Sequence, residues 1–213
     1  MTLFYIANIR FPTERAHGIQ VAKMCEAFAR RNGSDPDGEH GTSAEKISVT
    51  LLVPDRKTFA GDPFAYYGLE RNFIIKKIPV PDVVRFGTVG FFIESFIFAF
   101  RAVRRARKAE GTLIYTREEL PLLFLPNQSA FFEAHQPRTS SFYRMLIRRA
   151  KGIISISQGL KDALVLAGYS EGKIFVAHDG YDEKQFADRI SKSEARIRLG
   201  LPQDKKNAMY IGG

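Results

Sequence analysis

Short apolar runs that alternate with longer amphipathic stretches constrain this chain more than any single residue does. The runs are Leu3–Ala7, Ile47–Val53, Phe73–Lys77, Thr112–Thr116, Ala130–Glu133, Gly152–Ser155 and Lys173–Ala177, with an eighth near Ala208–Ile211. Several are continuously apolar, such as Val49, Leu51, Leu52 and Val53, which is the pattern of strands covered on both faces. Between them, helical spacing places Val21, Ala22, Met24, Cys25, Phe28 and Ala29 on one side of Gly18–Arg31, with Lys23, Glu26 and Arg30 on the other. Similar patterns run over Val89–Lys108, Ser140–Arg149, Gly159–Leu166 and Glu194–Leu199. This alternation predicts an α/β fold: a three-layer αβα, Rossmann-like domain with a mostly parallel sheet.

Two segments depart from the rhythm. Asn32–Lys46 is rich in Gly, Ser and Asp, and reads as a long loop. Pro202–Asn207 is a polar connector ahead of Ala208-Met209-Tyr210-Ile211-Gly212-Gly213. The expected division is therefore a Rossmann-like domain over residues 1–201, then a linker and the first strand of a truncated second domain over 202–213.

Composition narrows the partners. Hydrophobic residues make up 45% and charged residues 26% of the 213 positions, which excludes disorder for most of the chain. Thirty-two Lys and Arg against 23 Asp and Glu leave +9, favouring phosphate groups, anionic lipid heads or other acidic partners. The single cysteine, Cys25, lies on an apolar helix face; it reads as a small core residue and suits a reducing, cytoplasmic setting. The apolar stretch Phe86–Phe100 carries Glu94 and runs into Arg101, Arg104 and Arg105, shorter than the roughly 20 residues that a membrane span needs. It reads as a crossover helix with its Phe side chains on the sheet and its Arg side chains solvated. The alternative is a helix lying on an anionic membrane surface. No aromatic and basic motif of the kind used on RNA-binding sheets is present, so nucleic acid is not expected.

In open parallel sheets, ligands bind beyond the carboxyl ends of the strands. There the sequence places Asn8, Arg10, Arg15, His17 and Gly18 after the first strand, and Arg117 and Glu118 after the fourth. Glu133 and His135 fall at the fifth, Ser157 at the sixth, and His178, Asp179 and Gly180 at the seventh. Three of the four histidines thus follow strand ends, and His40 lies in the polar loop. Gly18 is expected to open the first helix, where backbone N–H groups suit a phosphate. His135 reads either as a proton-handling group or as a helix cap, and His178 as a turn residue. Neither a G-x-G-x-x-G fingerprint nor a G-x-x-x-x-G-K-[ST] loop occurs, which disfavours a nucleotide-dependent oxidoreductase. The histidines with Glu133 lack the spacing of zinc motifs, so no metal is expected.

Taken in order, these segments resemble family 4 glycosyltransferases of the GT-B fold. The resemblance is carried by Pro12–Phe28 around Gly18 and by Tyr115-Thr116-Arg117 followed by Phe132-Glu133-Ala134-His135. It continues through Ile156-Ser157-Gln158-Gly159-Leu160 with Gly168, then Lys173–Asp182, where His178-Asp179 stands in place of the usual pair ending in Asn. It ends with Arg198–Pro202 and Met209–Gly213. It implies the N-terminal, acceptor-side half of a retaining enzyme that moves a sugar from a nucleotide-sugar donor to a glycan or lipid-linked acceptor, as in polysaccharide biosynthesis, without a cofactor. By this resemblance His135 is the catalytic candidate near the transferring sugar, and His17 and Gly18 face the donor phosphates. Arg117, Glu133 and Ser157 form the cleft floor. The segment alone is expected to be nearly inactive, cytoplasmic, and peripheral at the inner membrane face. The competing reading is a non-catalytic Rossmann-like module that binds a sugar or an anionic ligand.

Overall fold

The computed structural model describes residues 1–30, 47–57, 61–138, 140–181 and 190–208. The loop Asn32–Lys46 with His40, and the eighth strand beyond Ala208, lie outside the described residues. Seven strands form one all-parallel sheet in the order β3-β2-β1-β4-β5-β6-β7. They are β1 (Thr2–Ile6), β2 (Ser48–Pro54), β3 (Ile74–Ile78), β4 (Thr112–Thr116), β5 (Ala130–Ala134), β6 (Gly152–Ser155) and β7 (Ile174–Val176). Each lies within one residue of its expected bounds. The helices are α1 (Ala16–Arg30), α2 (Pro63–Tyr67), α3 (Gly87–Ala106), α4 (Pro121–Phe124), α5 (Ser141–Ile147), α6 (Gln158–Leu166) and α7 (Lys192–Arg198). The fold is Rossmann-like, as expected, with the topological switch between β1 and β4.

Strict alternation along β1 builds two cores. Leu3, Tyr5 and Ala7 pack with Val21, Ala22, Cys25 and Ala29 of α1, whereas Phe4 and Ile6 join Phe98, Ala102 and Val103 of α3. Cys25 is fully buried, and burial pushes its thiol up. On the α1 side, cover thins toward β7: Phe131 and Ile154 are partly buried and Phe175 is half exposed.

Two short helices escaped the sequence reading. The start of α2 is set by Asp62, whose side chain accepts from the Ala65 amide at 2.8 Å, with Pro63 in the first turn. Gly68, at φ 60°, ends it in the left-handed region. These signals are legible in Asp62-Pro63 and Gly68, but five residues give too little periodicity to show a helix.

The expected packing of α3 is corrected. Of its phenylalanines only Phe98 is buried; the stripe on the sheet is otherwise small, formed by Ser95, Ala99, Ala102, Val103 and Ala106. Small residues let the helix approach the sheet closely, and the larger rings turn outward. With its leading 3-10 turn, Val84–Ala106 is also long and apolar enough to cross a membrane by length and composition, longer than the apolar stretch read from sequence. Glu94 lies inside, paired with Arg56.

The chain divides into two compact units, Met1–His178 and Asp179–Gly213. The second holds α7, capped by the Ser191 hydroxyl, which accepts from the Glu194 amide at 3.1 Å.

Candidate functional site

At the carboxyl rim, on the α1 side of the sheet, polar side chains from three adjacent strands meet. The outward alternation of β5 sends Glu133 to the same face as Tyr5 and Tyr115, although its carboxylate is only 3% exposed. A buried carboxylate needs donors, and it has them. Tyr115 donates to Oε2 at 2.6 Å, Tyr5 reaches the same oxygen at 3.4 Å, and His135 Nε2 donates to Oε1 at 2.5 Å. Burial alone would raise the Glu133 pKa, but the His135 and Tyr115 hydrogen bonds and the Arg117 charge outweigh it and hold it below the usual carboxylate range. His135 itself is about a quarter exposed, at 26%. Its Nδ1 has no partner among the described residues. The pairing through Nε2 therefore fixes the ring and leaves one nitrogen for a ligand.

Arg117, just past β4, donates from Nη1 to Gln20 of α1 at 3.0 Å, which ties the β4 loop to the first helix. Burial, Arg117 and Arg15 together lower the His17 pKa, so the entry to α1 concentrates positive potential. Arg117 thus acts electrostatically on both His17 and Glu133.

Gly18 does not open the helix. α1 begins at Ala16, and the Gly18 amide donates to the Arg15 carbonyl at 2.8 Å. A Cβ here would stand 2.5 Å from both Thr13 Cγ2 and the Tyr67 hydroxyl. The glycine is required by close packing: Tyr67 Oη donates to the Thr13 carbonyl and accepts from the Thr13 amide, each at 2.7 Å, and so clips the loop against α1. Sequence reasoning missed Tyr67 because it sits 54 residues from Thr13 in a helix too short to read.

Ser157 is the N-cap of α6, its hydroxyl accepting from the Leu160 amide at 3.2 Å, and no hydrogen bond joins it to Glu133 or His135 among the described residues. His178 lies at the end of β7, where Nδ1 donates to the Ile156 carbonyl at 3.2 Å. Among the described residues, no group of three or more His, Cys, Asp or Glu side chains could hold a metal ion.

On the other face of the rim a second polar network forms. Arg56 donates from Nε to Glu94 and from Nη2 to Asn8 Oδ1 at 2.7 Å, and Asn8 Nδ2 donates to Ser95 at 2.8 Å. These bonds fasten α3 to the loops after β1 and β2. Nearby, the Thr116 hydroxyl donates to the Ile6 carbonyl at 3.1 Å and accepts from the Glu118 amide at 3.0 Å, shaping the loop that carries Glu118. Burial and the neighbouring Glu119 push the Glu118 pKa up to about 7, against the opposing pull of Arg117 and the Asn8 amide.

A raised folded-state pKa means that the native state holds its proton longer than the unfolded chain. The contribution is whole below the ordinary carboxylate value and is lost as pH rises through about 7. Chemical denaturation should therefore show native stability falling by on the order of 2–3 kcal/mol across that window relative to Glu118→Gln. Parallel pH profiles for the two proteins would show that Glu118 does not hold its proton.

Comparison with known proteins gives the fold a context. No family model matches the sequence, and no curated protein matches it. Solved structures do. Anabaena HepE in complex with UDP and glucose aligns with TM-score 0.53 at 17% identity, over 93% of this chain and 50% of that one. The same protein with UDP-glucose aligns at 0.53 and 15% identity, over 94% and 50%. The lipopolysaccharide outer core galactosyltransferase WaaB, in its apo form, aligns at 0.53 and 10% identity, over 85% and 46%. The chain therefore spans about half the length of the solved structures it matches, and its fold is that of a Rossmann-like half of a GT-B architecture.

Proposed function

We propose that this chain is the acceptor-side half of a retaining, family 4 glycosyltransferase acting in the cytoplasm on a nucleotide-sugar donor and a glycan or lipid-linked acceptor. The observation that carries the reading is the convergence, at the switch between β1 and β4, of the His135–Glu133 pair with Arg117 and the positive entry to α1. HepE, of similar fold, was crystallised with UDP and with UDP-glucose.

In this reading the residues divide the chemistry by charge. Breaking the bond between sugar and nucleoside diphosphate develops negative charge on the leaving phosphate. Arg117, His17 and the N-terminal end of α1 offer positive potential for it. Glu133 holds the His135 ring so that Nδ1 faces the sugar hydroxyls, and Tyr5 and Tyr115 keep that carboxylate ionised and in place. Neither a metal nor an organic cofactor is required in the proposal.

Backbone NMR titration with UDP-glucose and, separately, inorganic pyrophosphate tests it. Perturbed amides should cluster at residues 15–18, 117–118 and 133–135, and Arg117→Ala should weaken binding about 10-fold or more. Perturbations elsewhere, or affinity indifferent to Arg117→Ala, would overturn the reading. A radiolabelled-sugar transfer assay should find little or no turnover by these 213 residues alone.

A further inference from the structure

The outward side of α3 changes chemistry along its length. From the preceding 3-10 turn onward, Phe86, Val89, Phe92, Ile93, Phe96 and Phe100 are 40–69% exposed, a stripe of three- and four-residue spacing opposite the buried one. It extends for about 20 Å at roughly 1.5 Å per residue. Phe124 of α4 stands edge-on to Phe96 and Phe100, with ring centroids 5.0 and 5.4 Å away, which broadens the patch. At Arg101 the apolar stripe stops. Arg101, Arg104 and Arg105 continue the helix and, with Lys108 just past its end and Lys76 and Lys77 of β3, line a groove of about 550 Å³. No carboxylate lines that groove, and among the described residues none of its six cations is in a salt bridge. An apolar face this long is unusual on a helix that already has a sheet to cover.

We infer that α3 and the basic edge beside it form a docking surface for an anionic lipid bilayer. The rings would enter the acyl boundary while the groove meets lipid phosphates. The argument for this occupant is charge complementarity: a second copy of the chain would bring six like cations against six, whereas an anionic membrane supplies both an apolar layer and a negative one. The inference does not depend on the sugar-transfer reading, and its test uses no nucleotide.

The sequence contains no tryptophan, so a single one can report on one place. Phe92→Trp puts it on the stripe, and Phe175→Trp puts it on the half-exposed opposite face of the sheet. With vesicles rich in phosphatidylglycerol, only Phe92→Trp emission should shift to the blue. Binding should be about 100-fold tighter than to pure phosphatidylcholine and should weaken as salt rises. Arg104→Glu with Lys108→Glu, two exposed positions whose folding is checked by circular dichroism, should lose at least about 10-fold in vesicle affinity. Four outcomes would overturn the proposal: no shift in Phe92→Trp, an equal shift in Phe175→Trp, equal affinity for both vesicle types, or a concentration-dependent shift without vesicles, which would mark a second copy as the occupant.

Discussion

Replacing Arg56 with Ala should lower the unfolding free energy by about 3–5 kcal/mol, because it strands a carboxylate inside the protein. Glu94 is 1% exposed, and the Arg56 guanidinium is its charge partner. Without it the charge faces apolar packing, and the desolvation penalty of a single ion far exceeds the net worth of the pair. The damage should not stay local, since Arg56 also holds Asn8, and Asn8 holds Ser95 of α3. Urea denaturation measures the loss. The companion Arg56→Met with Glu94→Leu removes both charges and should return to within about 1–2 kcal/mol of the native protein. A single replacement costing as little as an exposed ion pair, under about 1 kcal/mol, would mean that Glu94 is hydrated.

Glu133→Leu should cost a comparable amount, about 2–5 kcal/mol, for a different reason. The side chain is not repelled by its surroundings; it is the acceptor shared by Tyr5, Tyr115 and His135. Leucine removes that acceptor beneath a layer where water cannot easily replace it. Glu133→Gln keeps one carbonyl oxygen and should recover most of the loss. The pH dependence separates the two ideas. Because the Glu133 pKa is held down in the folded state, its contribution is present above the ordinary carboxylate range and is lost as pH falls through the lowered value. Acid should therefore destabilise the native protein more than Glu133→Gln. Matching acid curves would show that the carboxylate is not held by these donors. The sign is opposite to that of Glu118, which is desolvated beside another acid and loses stability as pH rises.

The two carboxylates show how far the sequence could be read. Glu133 was recognisable as a rim residue because period-two alternation in Ala130–Ala134 fixes its face, and the strand end fixes its height. The sequence places both Glu133 and Glu118 at the carboxyl ends of apolar strands, without showing what surrounds either carboxylate. The tertiary structure brought Tyr5 and Tyr115 to Glu133, beside its near neighbour His135, and desolvated Glu118 next to its sequence neighbour Glu119. Gly18 stood out in the sequence by its place after the first strand, and the structure gives it a packing role. Its constraint is the Tyr67 hydroxyl, brought in by a five-residue helix from another part of the chain.

The helix α3 marks the boundary most clearly. Its existence, length and direction followed from the Phe- and Arg-rich run and from the crossover that a parallel β3–β4 connection demands. Which face it buries did not follow, because large and small apolar residues recur at the same helical period. The sheet selected the small ones, since Ala and Ser allow a close approach, and this turned the phenylalanines to the outside. The strand positions and the layer class follow from a local alternating pattern, and the sequence alone determined them. Which carboxylate is paired, which glycine is crowded and which rings face out depend on contacts between residues far apart in the chain, and the tertiary structure alone decided those.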